Sequence, residues 1–310
     1  MLPTEYNVTR RRFVRIGAHL ALWPLAACGA HTHATEDRPE SEVGFSPLVV
    51  GGRRVLRIGS TSAPPLVLLH ELPGMTPDDM RLARRLAQEN FNVYLPLLFG
   101  DVGQDSTTAG YWQACARGPF ECSDLSARSE VQTWIEGLCD TIAKDTAGGS
   151  AKGQLGVIGM CLTGIFPLAL LRPGVAAAVA CQPTVPFRLI PPRPVGRQKK
   201  DLGLSAADLA RASKSDVPFL AMRYASDALC PSERMAVIRD TFKTRVAVIE
   251  IPNKKGHSTL ASSFDPDAFA DTVSYLKVRL KSDPGPRRMK LATLSGRPCE
   301  ITAGGMWANV

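Results

Sequence analysis

The sequence predicts an α/β fold in which a mostly parallel, twisted sheet carries helices on both faces. Short apolar runs bounded by glycine and proline recur along the middle of the 310-residue chain, and helical segments lie between them. Several of these runs are apolar throughout, which is typical of parallel strands buried on both faces. With 45% hydrophobic residues, the chain can bury a full core.

Six apolar runs are interpreted as strands. The first, PLVLLH at 65–70, is apolar from end to end. The other five lie at 91–98, 154–159, 175–182, 218–225 and 246–252. Because helical segments or loops separate most of these runs, the alternation favours parallel pairing.

Two helices are predicted with defined ends. In 76–90, Thr76 can cap the helix, Pro77 suits its first position and Asp79 completes a capping-box arrangement. A closing amphipathic helix is predicted at 265–281, with one apolar face formed by Phe269, Val273, Leu276 and Leu280.

The chain divides into four segments. Residues 1–28 form a predicted export signal, 29–45 a polar linker, and 46–282 the α/β domain that would carry catalysis. Within that domain, 190–216 falls outside the strand pattern and is expected to form a loop and a small helix over the sheet edge. The tail at 283–310 shows little periodicity, and we expect that it can be disordered.

The first 28 residues resemble a bacterial export signal. The basic stretch TRRRFVR precedes the apolar run IGAHLALWPLAAC, which is too short for an ordinary transmembrane helix. The paired arginines resemble a twin-arginine signal, and residues 25–28 resemble a lipoprotein cleavage box in which Cys28 is acylated. The alternatives are a basic arm on a cytoplasmic protein and an ordinary export signal cut later, after Ala34. We expect export to the periplasm or cell envelope, with a lipid anchor in the membrane if the box is used.

The charge of the chain argues against nucleic acid as a partner. The formal net charge is +8, of which the arginines of the leader, set against Glu5, carry +3 and leave +5 for the rest. The remaining basic residues are scattered, with no aromatic-interleaved basic stripe. Small-molecule chemistry is the better expectation.

Cysteine usage constrains the redox chemistry. Beyond Cys28 there are seven cysteines, and in an oxidising compartment an odd number leaves at least one thiol unpaired. Cys115 and Cys122 flank a short turn-rich loop and are the best candidates for a disulfide. No CxxC pair or His/Cys spacing predicts a metal site, and no cofactor is predicted.

The segment GVIGMCLTG at 156–164 places Cys161 just past a predicted strand, at the start of the helical run LTGIFPLALL. This is the position of a nucleophile elbow, where catalytic groups of an open parallel sheet gather. On its own, the pattern is a weak signal, and a buried structural cysteine is the simpler interpretation.

Two later residues complete an ordered set. Asp227 follows the strand at 218–225, and His257 follows the strand at 246–252. Nucleophile, acid and base in that chain order at strand ends are typical of hydrolases of this architecture. A neutral thiol is only weakly nucleophilic, so the imidazole is the expected base and the carboxylate its orienting partner.

These motifs resemble those of the dienelactone hydrolase family of α/β-hydrolases, over roughly residues 46–282. The similar features are the elbow at 159–164, the DALCP loop, the Gly-His-Ser at 256–258 and Glu71 after an early strand. The resemblance implies an α/β-hydrolase fold, a Cys161–His257–Asp227 triad, and a Glu71 carboxyl that contacts the thiol and helps to activate it. It also implies an oxyanion hole formed by the backbone N–H groups of Leu72 and Leu162.

Two departures from the family pattern limit the substrate prediction. Thr163 replaces an elbow glycine, which could reshape the turn, and Ala261 stands where the family has a substrate-binding arginine. Arg117, Arg223 and Lys255 could supply another cation, but each is more simply a surface charge. The prediction is therefore an exported hydrolase of small-molecule esters or lactones. The alternatives are a non-catalytic envelope protein that keeps the fold and, more remotely, a thiol-based redox protein.

Overall fold

The centre of the molecule is an eight-stranded sheet whose last six strands run parallel. The computed structural model describes residues 42–103, 129–146, 153–185, 199–252, 256–283 and 285–308. The predicted leader with Cys28, the Cys115–Cys122 pair, Arg117 and Lys255 lie outside these residues. Within the described part of the chain, no helix combines the length and the apolar character needed to span a membrane.

All six predicted strands are confirmed. They are β3 (Pro65–Leu69), β4 (Asn92–Pro96), β5 (Leu155–Met160), β6 (Val175–Cys181), β7 (Phe219–Tyr224) and β8 (Val246–Ile251). Two further strands, β1 (Ser46–Val50) and β2 (Arg53–Ile58), form an antiparallel hairpin on one edge. The strand order is β1-β2-β4-β3-β5-β6-β7-β8.

Helices cover both faces of the sheet, as predicted. The described helices are α1 (Pro77–Gln88), α2 (Glu130–Asp145), α3 (Phe166–Ala169), α4 (Ala206–Lys214), α5 (Ser232–Phe242) and α6 (Pro266–Arg279). Helices α1 and α6 contribute to the core on one face, and α2 to α5 contribute to the core on the other. The sheet is therefore buried between two apolar layers.

The helix ends follow the predicted chemistry. In α1 the Thr76 hydroxyl accepts the backbone N–H of Asp79 at 3.2 Å, and the Asp79 carboxylate accepts the N–H of Thr76 at 2.9 Å. The Asp265 side chain caps α6. Three of the four residues predicted for the apolar face of α6 are buried, and Phe269 packs partly exposed against the core.

The helical run after Cys161 is shorter than predicted. The chain makes a 3₁₀ turn at Cys161–Thr163 and then the four-residue helix α3. Pro173 and Gly174 follow closely and cannot extend a helix, so the segment turns back into β6.

The C-terminal tail is folded where it is described, which differs from the expectation of disorder. Short strands at 287–288, 300–301 and 307–308 form a small antiparallel sheet. The carboxylate of Asp271 in α6 accepts the backbone N–H groups of Lys290 at 2.7 Å and Leu291 at 2.9 Å. Trp307 stacks on Tyr275 and donates its indole N–H to the carbonyl of Phe219 at 3.0 Å. A few buried anchors, rather than a periodic pattern, hold this segment.

Candidate active site

The sheet register brings Glu71 and Cys161 together. Leu69 of β3 pairs with Gly159 of β5, and each functional residue follows its strand partner by two positions. Because the strands are parallel, both side chains emerge at the same carboxyl edge of the sheet. Glu71 is 5% exposed and Cys161 is 6% exposed, so both side chains are buried at this edge.

The turn at Cys161 has the strained geometry of a nucleophile elbow. Cys161 has a φ of 53°, a left-handed conformation that side chains with a Cβ seldom adopt. A Cβ on Gly159 would lie 2.7 Å from Cδ of Pro167, and one on Gly164 would lie 2.6 Å from the carbonyl oxygen of Cys181. Glycine is needed at both positions because backbone and proline ring pass so closely.

Thr163, the predicted departure at the elbow, is accommodated through its hydroxyl. The side chain is fully buried, and its oxygen accepts the N–H of Met160 at 3.1 Å. The same oxygen lies within donor distance of the carbonyls of Leu69 and His70, at 3.2 Å each. Its shortest contact is with the carbonyl oxygen of Met160, at 2.9 Å, so the hydroxyl closes the elbow and lies beside the end of β3.

His257 and Asp227 form a fixed pair behind the thiol. The Nδ1 of His257 lies 2.7 Å from Oδ2 of Asp227. The other oxygen of Asp227 accepts the N–H groups of Leu229 at 2.9 Å and Cys230 at 3.2 Å. The Nε2 of His257 is buried and has no hydrogen-bond partner among the described residues. That nitrogen is available to a reacting group.

Arg223 is neither a surface charge nor a substrate-binding cation. It is 4% exposed and forms an ion pair with Glu250. Its Nη2 donates to the carbonyl of Ala225 at 2.7 Å and to that of Asp227 at 3.2 Å. Our expectation for this residue was therefore wrong: it lies in a strand, and its planar guanidinium group holds the loop that carries the acid.

The sulfur of Cys161, a carboxyl oxygen of Glu71 and a ring nitrogen of His257 lie within 4.8 Å of one another. The structure thus brings all four predicted side chains into one crevice, with Asp227 behind the imidazole. Cysteine, histidine and carboxylate are also zinc ligands, so these three residues could hold such an ion.

The surroundings of Cys161 keep its thiol neutral at rest. Burial raises the pKa of the Cys161 thiol, and the Glu71 carboxyl raises it further whenever that group is ionised. The backbone N–H of Leu162, the hydroxyl of Thr184 and the backbone N–H of Leu72 oppose the rise by hydrogen bonding to the sulfur. The two N–H groups predicted as oxyanion donors therefore lie close enough to the sulfur to affect its ionisation.

None of the groups that shift the pKa of Glu71 is basic. Burial raises the pKa of the Glu71 carboxyl, and the nearby carboxylate of Asp79 raises it further. Hydrogen bonds from Ser258 and Gln182 favour the ionised form but do not outweigh these effects. A protonated Glu71 at neutral pH follows from this environment.

Sequence reasoning missed Gln182, which connects three parts of the site. Its side-chain nitrogen donates to Oε2 of Glu71 at 3.2 Å, and its side-chain oxygen accepts the hydroxyl of Thr259 at 2.7 Å. The residue is fully buried and has a φ of 33°. The available signal was its position at the end of a predicted strand, beside the nucleophile strand.

Two other residues of the site were not predicted as functional. Asp79 was interpreted only as part of a helix cap, although its carboxylate also faces Glu71. His70 was interpreted only as the end of a strand, although its fully buried ring contacts the loop that carries Leu72. In both cases the contacts arise from the tertiary fold, and the local sequence carries no signal for them.

Comparisons with known proteins identify the fold and the family of the chain. No curated protein matches the chain. A putative dienelactone hydrolase from Klebsiella pneumoniae superposes with a TM-score of 0.53 at 16% identity, covering 77% of this chain and 97% of that one. An esterase from Thermogutta terrifontis gives 0.51 at 10% identity, covering 77% and 94%.

These structural similarities establish the α/β-hydrolase fold. The sequence evidence is more specific. The sequence model of the dienelactone hydrolase family matches residues 54–270, well over half of the chain. That range contains Glu71, Cys161, Asp227 and His257. The chain belongs to the dienelactone hydrolase family.

Proposed function

We propose that this protein is an exported hydrolase that cleaves small-molecule esters or lactones through the thiol of Cys161. The main support is the short distance between three groups: the Cys161 sulfur, a ring nitrogen of His257 and a carboxyl oxygen of Glu71 lie within 4.8 Å of one another. Asp227 lies 2.7 Å from Nδ1 of the imidazole. Family membership supports hydrolysis as the reaction class.

In the first step, His257 removes the proton from the thiol. The Asp227 carboxylate accepts the Nδ1–H of the imidazole, which leaves Nε2 as the basic nitrogen directed away from it. At rest the sulfur of Cys161 lies near backbone N–H groups. A rotation of the Cys161 side chain then brings the sulfur to Nε2 of His257. The thiolate then attacks the ester carbonyl and forms a carbon–sulfur bond.

The backbone N–H groups of Leu72 and Leu162 stabilise the oxygen of the tetrahedral intermediate. Both lie near the thiol in the resting state, where they lower its pKa, and they can bind the substrate oxygen once the sulfur turns towards His257. Collapse of the intermediate expels the alkoxide, which takes the proton from the imidazolium. Water, deprotonated by the same histidine, hydrolyses the thioester and restores the thiol.

Glu71 takes part as an uncharged acid. Its pKa is raised by burial and by Asp79, so at rest it is a hydrogen-bond donor and His257 is the available base. A proton on Glu71 can stabilise the thiolate as it forms, whereas a second negative charge at this distance would oppose it. This role refines the activating role that the family resemblance implies.

The direct test is hydrolysis of short p-nitrophenyl esters and small lactones by the mature domain. Cys161→Ala and His257→Ala are expected to abolish turnover. Cys139→Ala is the matched control, because it removes another buried free thiol, in α2, and should retain wild-type activity. Activity that survives both active-site substitutions would refute the assignment. No turnover by the wild type on any ester or lactone would favour the non-catalytic binding protein.

Export and lipidation rest on the leader sequence. A twin-arginine pattern followed by a lipoprotein-like box supports acylation of Cys28 and a location in the cell envelope. Metabolic labelling with palmitate in a bacterial host should mark the wild type and not Cys28→Ser. Label that persists in the serine variant would exclude this anchor.

A further inference from the structure

His70 contacts the backbone beside the proposed oxyanion hole. It follows β3 directly and precedes Glu71, and its ring is fully buried. The edge of the ring packs against Phe99, with the ring centroids 4.6 Å apart. The ring therefore lies between the ends of β3 and β4, and its orientation is fixed by packing.

The hydrogen bonds of His70 identify its tautomer. The backbone N–H of Leu98 donates to Nε2 at 3.0 Å, so that nitrogen carries no proton. Nδ1 therefore carries it and donates to the carbonyl of Glu71 at 3.1 Å. Burial lowers the pKa of His70 to about 4, which keeps this neutral form through the neutral pH range.

The carbonyl that accepts this bond belongs to the Glu71–Leu72 peptide group. The N–H of the same peptide group is that of Leu72, which faces the Cys161 sulfur. The N–H of Gly74 also donates to the Glu71 carbonyl, at 3.0 Å, so two donors hold one side of the peptide plane. Because the peptide group is planar, fixing its carbonyl fixes the direction of its N–H.

We propose that His70 is a positioning residue for the oxyanion hole, and that its Nδ1–H bond to the Glu71 carbonyl aims the Leu72 N–H at the substrate oxygen. This inference rests on the proposed function. A misplaced donor costs catalysis because it stabilises the transition state only when it is directed at the developing charge.

Three variants separate the bond to Glu71 from the remaining contacts of the ring. His70→Asn and His70→Leu have similar shapes and both remove the acceptor for Leu98, but only asparagine keeps an N–H donor near the Nδ1 position. His70→Gln can keep an acceptor near Nε2 and loses the donor to Glu71. We expect kcat for ester hydrolysis to fall by about 10- to 100-fold in the leucine and glutamine variants, with a smaller loss in asparagine and little change in KM.

The specific readout compares two reactions of the same thiol. An aldehyde inhibitor forms a tetrahedral adduct whose oxygen needs the hole, and its affinity should fall together with kcat. Alkylation of Cys161 by iodoacetamide forms no oxyanion. Because the reacting sulfur has turned from the Leu72 N–H towards His257, the alkylation rate should fall far less than kcat and stay within about threefold of wild type. His257→Ala is the contrasting control, in which alkylation slows.

The outcomes distinguish this inference from the proposed function. A wild type that hydrolyses no ester and no lactone overturns both. If the wild type is active, two results would overturn the role of His70 alone. One is an equal kcat in the asparagine and leucine variants. The other is an alkylation rate that falls in parallel with kcat in the His70 variants. If the leucine variant does not fold, the comparison of asparagine with glutamine decides, and a glutamine variant as active as asparagine contradicts the proposal.

Discussion

Replacing Thr163 by valine tests how the nucleophile turn is held. The Thr163 oxygen lies 3.1 Å from the N–H of Met160 and 3.2 Å from the carbonyls of Leu69 and His70. Valine keeps the shape and the branching of the side chain and removes only the hydroxyl. The substitution therefore leaves the packing intact and removes the hydroxyl's polar contacts, which include the carbonyl of Met160 at 2.9 Å and those at the end of β3.

The expected cost follows from the groups left without a partner. Met160 is fully buried, and its N–H loses the acceptor that the structure gives it. A buried donor left unsatisfied costs about 1–3 kcal/mol, so about 2 kcal/mol is expected. For a domain of this size, each kcal/mol lowers the melting temperature by about 2–4 °C, which gives a fall of about 4–8 °C.

Thermal and urea unfolding followed by circular dichroism measure this effect. Thr163→Ser is the matched control, because it keeps the hydroxyl and loses only a methyl group. We expect the serine variant to lie between wild type and valine in stability, and the valine variant to lose more ester turnover. A valine variant as stable and as active as the serine variant would show that the hydroxyl does not hold the elbow.

Three further substitutions test the electrostatics and the tail. Asp227→Asn should lower ester kcat/KM by roughly 10³- to 10⁴-fold, because the imidazole loses the partner that sets its tautomer; a loss below tenfold would contradict the pairing. Burial and Asp79 raise the pKa of Glu71, so the folded protein keeps a proton that the unfolded chain releases. Stability should therefore decrease as pH rises above the ordinary carboxyl range, and urea unfolding of Glu71→Gln should show a shallower decrease. Asp271→Ala should release the backbone at 290–291 and accelerate tryptic cleavage there, with Asp271→Asn retaining part of the protection.

The parallel core of the fold was predictable because its strands leave a direct signal. Each of the strands β3 to β8 is an apolar run that is buried along nearly its whole length. The β1–β2 hairpin was missed because its edge strand is short and largely exposed, and because β2 mixes arginine with apolar residues. The folded tail was missed for a similar reason: isolated anchors such as Trp307 hold it, and they have no periodicity.

The site was predictable to the extent that its residues follow strands directly. Cys161, Asp227 and His257 were located by that position, and Glu71 by its match to the family motif. Gln182 and His70 also end strands, but their roles depend on partners from other strand ends. Contacts of that kind arise from the order of strands in the sheet, which the local pattern does not contain.

Several features of the active site lower the stability of the folded protein. Cys161 and Gln182 both have positive φ, Glu71 and Asp79 are buried carboxyl groups close to each other, and Nε2 of His257 is buried without a described partner. Backbone strain of this kind costs about 1–3 kcal/mol for each residue, and an unpartnered buried polar atom costs a similar amount. A protein that kept the fold only to bind a ligand would gain stability by relaxing these positions. All of these features occur around one thiol, which favours the hydrolase over the non-catalytic alternative.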